Sequence, residues 1–269
     1  MDIEFRGGSF VSLKDLEIPR DKGRPVINGK PYSRVSTVAG HINSMAGLGV
    51  WKQRHIALAV ARRPDIQQEL CMLTYEDKTR VDGLIEEALM RARDDEGNGK
   101  LLAARRGTVF HDATVVQGLP MPEPYQVASD GFFEALDRYG LEVVDTEVFV
   151  VNDRLEVAGT YDHKVVHRVT GRAYILDKKT GGKYWTVHAA QLDGYAGSVA
   201  YDHVNDVRMD LGVERDMGLI AHTDLVTGLT EISTVDLSWR PMDIAAAAHK
   251  AGSAANVKRI IGKLPEAVR

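Results

Sequence analysis

The sequence predicts an α/β fold in which a mixed central β-sheet is flanked by helices and preceded by a helical N-terminal region. Three observations predict it. The first part of the chain carries helix-length amphipathic stretches, the middle changes to short β-rich runs parted by turn dipeptides, and a helix, a hairpin and a helix follow. With 269 residues, 44% of them apolar, the chain can bury a sizeable core. Residues 1–104 read as a helical region packed on a core of residues 105–269, the two forming one continuous unit.

From about Val35 to Arg106 the pattern is helical. Ser36 or Thr37 can cap its start, Pro64 breaks it, and Tyr75 to Arg93 is a charged amphipathic stretch ended by the acidic turn DDEGNGK. A second helical pair follows in GTVFHDATVVQG and VASDGFFEALDRYG, where Thr108 can cap the first helix, His111 then stands in its first turn, and Gly140 takes the C′ position of the second. EVFVV, LEVAGTYDHKVVH and AYILDKKT read as an antiparallel meander turning at Asn-Asp and Thr-Gly. A helix from about Val187 to Asp202, a hairpin around Thr227-Gly228 and a helix from about Pro241 to Ile261 complete the order.

Composition removes several classes of function. No apolar stretch approaches the ~18 to 20 residues of a membrane span, and MDIEFRGG lacks a basic-then-apolar leader, so a cytoplasmic protein is expected. Cys71 is the one cysteine, which excludes an intrachain disulfide, a zinc finger and an iron–sulfur cluster, and leaves oxygen and nitrogen ligands for any metal. With 34 Lys plus Arg against 38 Asp plus Glu, the net charge of −4 argues against polyanion binding over the whole surface. Two local groups, Lys52, Arg54, Arg62 and Arg63, and Lys100, Arg105 and Arg106, are either phosphate contacts or solvated helix faces.

The meander carries the chemistry. With Thr170 and Gly171 at a hairpin tip, Asp162 stands opposite Lys179, and Asp177, two residues before Lys179, shares its face. The other face collects Leu155, Val157, Tyr161, Val165, Tyr174 and Leu176 for helices to cover. Charges on a covered sheet face need a partner or a metal. Two carboxylates suit magnesium or manganese, and a histidine can complete the set. Gln191 and Tyr195 are four apart, on one face of the following helix.

The series G-T-x-x-H at Gly107 to His111, Glu147, G-T-x-D at Gly159 to Asp162, D-x-K-T-G at Asp177 to Gly181 and Q-x-x-x-Y at Gln191 to Tyr195 resembles the RecB-like branch of the PD-(D/E)XK nuclease superfamily, which includes phage-encoded and CRISPR-associated exonucleases. The resemblance covers roughly residues 105 to 200 and implies a restriction-endonuclease-like core. It further implies that His111, Asp162, Asp177 and the Lys178 carbonyl hold Mg2+ or Mn2+, and that Lys179 positions the attacking water and stabilises the charge on phosphorus. The resemblance also implies an additional catalytic acid at Glu147; with Asn152-Asp153 as a two-residue turn it lies opposite Ala158, four residues along the face from Asp162. Gln191 and Tyr195 hold the DNA strand, and Arg106 and Lys178 add cations for its backbone.

The expectation is a metal-dependent DNA exonuclease that processes ends in recombination, replication or repair, with DNA and a recombination or single-strand annealing protein as partners. Several members of the branch hold an iron–sulfur cluster on four cysteines; with Cys71 alone this chain is of the cluster-free kind. A structure-specific or restriction-like endonuclease, and a non-catalytic nucleic-acid-binding relative, are the alternatives.

Overall fold

The computed structural model describes residues 18–42, 46–74, 76–94, 100–115, 117–118 and 125–252. The fold is mixed α/β, with two mixed sheets of five strands and helices around them. β1 (Arg20–Asp21), β2 (Arg24–Ile27) and β3 (Lys30–Pro31) make a small antiparallel sheet. It turns at Lys22-Gly23 and Asn28-Gly29, where all four residues have positive φ. β4 (Ser33–Arg34) leads into α1 (Val35–Ala39) and a 3-10 turn, Gly40–Ile42. Among its described residues the N-terminal region therefore begins with strands, and the Lys-Gly and Asn-Gly pairs are the hairpin signals that a purely helical reading overlooks. Neither Ser36 nor Thr37 caps α1, whose N-cap is Arg34.

The chain divides into two units, one of residues Met1–Asn43 with Phe110–Arg269 and one of Ser44–Val109. The second holds α2 (Ala46–Ala61), α3 (Pro64–Leu70) and α4 (Lys78–Asp94) around Ala59, Ile66, Leu84 and Ala88. Pro64 breaks the helical run as expected and starts α3, where its missing N–H costs nothing. α5 (Lys100–Ala113) begins well before Thr108, so His111 stands in its last turn, the reverse of the expected placement. α6 (Tyr125–Arg138) ends with Gly140 at φ +65°, the left-handed close its sequence predicts.

β5 (Leu141–Thr146) and β6 (Phe149–Asn152) run out and β7 (Val157–Thr160) and β8 (His163–His167) run back, as one long hairpin bent at its middle. Thr146 pairs with His163 and Phe149 with Thr160, and between them the Glu147 N–H donates to the Asp162 carbonyl at 3.0 Å. The bend sends the two halves into different sheets, so the expected single meander is divided. β9 (Ala173–Lys179), α7 (Trp185–Ala196), β10 (Val199–Asp202), β11 (Val207–Met209), β12 (Met217–Thr223), β13 (Thr230–Asp236) and α8 (Pro241–Ala251) follow. One sheet has the order β11-β10-β6-β7-β4 with β4 parallel to β7, and the other β13-β12-β9-β8-β5 with β12 parallel to β9. α7 stops at Ala196, short of the expected Asp202, because Val199 and Ala200 pair with β6. The expected end of α8 at Ile261 lies outside the described residues.

Both faces of the β9 sheet are covered. Leu176 packs with Phe110, Phe132, Leu136, Val165 and Leu219 on one side. Ile175 packs with Tyr161, Leu192, Tyr195 and Ile220 on the other. Each such side chain stabilises the fold by about 1.5–3 kcal/mol when fully buried. Because the hairpin changes sheets, Leu155, Val157 and Tyr161 join the second group while Val165, Tyr174 and Leu176 join the first, so the single packing face expected for these six residues is two faces. Among the described residues no helix is long and apolar enough to cross a membrane.

Candidate functional site

Strand register sets the site. His167 and Arg172 close the β8–β9 hairpin around a four-residue turn, Arg168 to Gly171, with Gly171 at φ +68°. His163 consequently pairs with Leu176, and continuing that register puts Asp162 opposite Asp177, two residues from the Lys179 pairing expected. The turn between β6 and β7 also has four residues, Asp153 to Glu156, which brings Glu147 opposite Asp162 instead of Ala158. Both corrections are even in number, so alternation within each half of the hairpin is kept, but the bend puts Leu155, Val157 and Tyr161 in a different packing group from Val165, Tyr174 and Leu176. Glu147 has φ +53°, a left-handed conformation that an L side chain takes at a cost of about 1–3 kcal/mol.

The result is two connected groups. In the first, His111 places Nδ1 2.8 Å from Glu147 Oε1 and Nε2 2.7 Å from Asp162 Oδ1. Asp162 Oδ2 accepts the Lys178 N–H at 2.7 Å. In the second, Asp177 pairs with Lys179 at 2.5 Å through Oδ2 and accepts from Gln191 Nε2 at 3.2 Å through Oδ1. Gln191 Oε1 accepts from Lys179 at 3.3 Å, and its Nε2 also donates to the Tyr195 hydroxyl at 3.3 Å. Asp162 joins the groups, since it takes the Lys178 main chain and its charge acts on both Asp177 and Lys179.

Burial and charge set the protonation states. The hydrogen bonds to Asp162 and then Glu147 push the His111 imidazole up to about 9, against the effect of burial, so it carries a proton at neutral pH. Its position in the last turn of a helix favours that charge. Burial pushes Asp162 up, but the His111 bond and the Lys178 charge outweigh it and hold the carboxyl well below its ordinary range. Asp177 is raised, by burial first, in spite of Lys179. Burial pulls Lys179 down, yet Asp177 and Asp162 keep it above its ordinary value and charged.

Three of the residues expected to touch DNA have other surroundings. Lys178 is 7% exposed, and its ammonium donates to Thr114 Oγ1 at 2.8 Å and the His111 carbonyl at 3.2 Å. Its side chain ties β9 to α5, a correction to its expected role on the DNA backbone. Tyr195 is buried with its ring against Gly159, where a Cβ would stand 3.1 Å from the Tyr195 ring. The glycine of G-T-x-D thus makes room for the tyrosine of Q-x-x-x-Y. Tyr195 holds Gln191, and Gln191 holds Asp177 and Lys179, so the pair positions the site where a strand-gripping role was expected. The side chains of Lys52, Lys100, Arg105 and Arg106 lie outside the described residues. Arg63 pairs with Asp65 and Glu87.

One further residue enters. Ligand atoms of His111, Asp112 and Glu147 lie within 4.8 Å of one another, so exposed Asp112 joins the candidate ligands; the His-Asp dipeptide was its signal. Asp162 is the better placed acid, because it already holds the His111 ring and is largely buried.

The donor set is carboxylate oxygen with one imidazole nitrogen, the chemistry of a Mg2+ or Mn2+ site. Glu147, Asp162 and Asp177 are balanced by Lys178, Lys179 and a protonated His111. A hard dication held by these residues would have to displace that proton, since a ring nitrogen ligates only when unprotonated. No family model matches this chain, and no curated protein matches it.

Proposed function

We propose that this protein is a metal-dependent DNA exonuclease of the cluster-free RecB-like kind, hydrolysing phosphodiester bonds with Mg2+ or Mn2+. The observation that supports it most is the neighbourhood of β9, where buried Asp177 and half-buried Lys179 share one face and Asp162, His111 and Glu147 gather beside them. Three acids and one histidine, beside two lysines, supply the oxygen and nitrogen donors that a hard cation takes, and such a cation would replace the His111 proton in balancing them.

On this reading His111, Asp162 and Asp177 hold the ion, with Glu147 orienting the imidazole. The ion, when bound, neutralises phosphate charge and lowers the pKa of water. Lys179 stays protonated beside Asp177 and stabilises the negative charge that builds on the phosphoryl oxygens, a contribution on the order of 10²–10³-fold in rate. Gln191 and Tyr195 keep that ammonium and Asp177 aligned. Water adds to phosphorus, a P–O bond breaks, and a phosphate end and a hydroxyl end result.

The test is incubation of purified protein with end-labelled linear and closed circular DNA in Mg2+, Mn2+ or EDTA, beside Asp177→Ala and Lys179→Ala. Release of nucleotides from linear DNA only, dependent on metal and lost in both variants, is expected. Activity untouched by Asp177→Ala overturns the site. Cutting of closed circles makes the enzyme an endonuclease.

A further inference from the structure

α7 presents a stripe that ends in solvent. Tyr184, His188, Gln191 and Tyr195 are spaced four, three and four apart and lie along one side of the helix. Its inner end is the Gln191 and Tyr195 pair that holds Lys179 and Asp177. At its outer end two consecutive aromatic rings stand in water, Tyr184 at 56% and Trp185 at 43% exposure. Each has its centroid 6.3 Å from the His188 ring and is set nearly edge-on to it, at 87° and 76°.

His188 is the second observation. It is 6% exposed, and its Nδ1 is buried without a hydrogen-bond partner. Such an atom costs about 1–3 kcal/mol unless a ligand satisfies it. Burial first, then the charges of Lys179 and His222, push the imidazole down to about 4, so at neutral pH it is uncharged and has one N–H and one acceptor nitrogen to offer. His188 precedes Gln191 by one helical turn, and Gln191 contacts both Lys179 and Asp177.

We propose that Tyr184, Trp185 and His188 form a site for an unpaired nucleobase beside the Lys179 and Asp177 pair, which makes single-stranded DNA the preferred substrate. The inference rests on the nuclease reading and deepens it. Exposed rings offer flat faces on which any base can stack, and His188 offers a polar group to a base edge. In a duplex both are hidden, because the base faces are stacked and the edges paired. Lys183 stands 6.0 Å from the Trp185 ring centroid and pairs with Glu231 at 3.0 Å, which steadies the outer end of the stripe.

The experiment has two arms on the full chain. In the first, fluorescence anisotropy of a dye-labelled short thymidine oligonucleotide follows binding in EDTA, for wild type, Tyr184→Ala and Trp185→Ala. In the second, the same proteins digest matched single-stranded and duplex oligonucleotides with Mn2+. Both rings are exposed, so truncation leaves the core intact. Each substitution is expected to weaken single-strand binding about 10-fold and to lower digestion of the single strand by a similar factor, with duplex digestion unchanged. Digestion of both forms that is unaffected, or reduced equally, overturns the base site while the nuclease reading stands. If wild type cuts nothing under either metal, the nuclease reading falls and the first arm decides alone. Single-strand binding that needs Trp185 then supports the base site, and absence of binding overturns it.

Discussion

Asp177 on β9 and Asp193 on α7 are both almost wholly buried, at 1% and 3% exposure, and burial pushes both carboxyls up. Their surroundings differ. Asp193 Oδ2 accepts the Met242 N–H at 3.0 Å, at the start of α8, and Arg215 and Arg240 stand at 3.9 and 4.0 Å from Oδ1. Two arginines and a helix start face it, although Oδ1 has no hydrogen bond and burial still dominates. Asp177 has one lysine, one amide and a second acid, Asp162, acting against it. Burial of a carboxylate is therefore no mark of chemistry by itself; what separates Asp177 from Asp193 is the second acid, Asp162, whose charge acts against it next after burial and Lys179, whereas at Asp193 each arginine outweighs Asp243.

The comparison can be broken most directly by neutralising each acid. Asp177→Asn is expected to lower metal-dependent cleavage by at least about 10²–10³-fold with little loss of stability. Asp193→Asn is expected to leave cleavage nearly unchanged and to cost about 1–2 kcal/mol by weakening the start of α8, read as a fall in the urea midpoint. Equal losses of activity in the two variants would remove the distinction.

The adjacent lysines sharpen it. Lys178→Met is expected to destabilise the protein by about 1.5–3 kcal/mol through loss of the bonds to Thr114 and the His111 carbonyl. It should leave the salt dependence of DNA binding unaltered, whereas a phosphate-contacting lysine would contribute about one to that slope. A reduced slope for Lys178→Met returns this residue to the DNA surface.

Buried histidines give the pH dependence. Burial pushes His163 down to about 3 and His188 to about 4. Unfolded, each takes up a proton near pH 6.5, so the stability they allow is full above that value and falls as pH drops towards the folded values. Near pH 5 the loss is about 2 kcal/mol for each. NMR of the imidazole protons checks this, and a ring at either position that titrates close to 6.5 overturns it.

The smallest effect concerns Glu147. Its left-handed backbone makes Glu147→Gly more stable than Glu147→Ala by about 1 kcal/mol, although both remove the carboxylate beside His111. Equal urea midpoints would show that φ there carries no strain.

Much of the site was legible because side-chain alternation along a strand is local. Asp177 and Lys179 share a face whatever the turn does, and the helical spacing of Gln191 and Tyr195 puts them together without knowledge of the fold. The Asn28-Gly29 hairpin and Gly140 were equally readable, since each follows from a backbone conformation that its own residues favour. Asp112 and the platform of Tyr184 and Trp185 were less so, because exposure is a property of what packs around a residue.

The sequence by itself determined the α/β class, the alternation that puts Asp177 and Lys179 on one face, and the acids, lysines and histidine available to the candidate site. Tertiary structure alone decided that Asp162 takes the Lys178 N–H, that Glu147 and Asp162 grip one histidine, that Lys178 turns into the fold, and that the hairpin bends between two sheets. The reason is range. Periodicity is settled within a few residues, but turn length, strand pairing and burial depend on which distant carbonyl meets which N–H and on what covers each face.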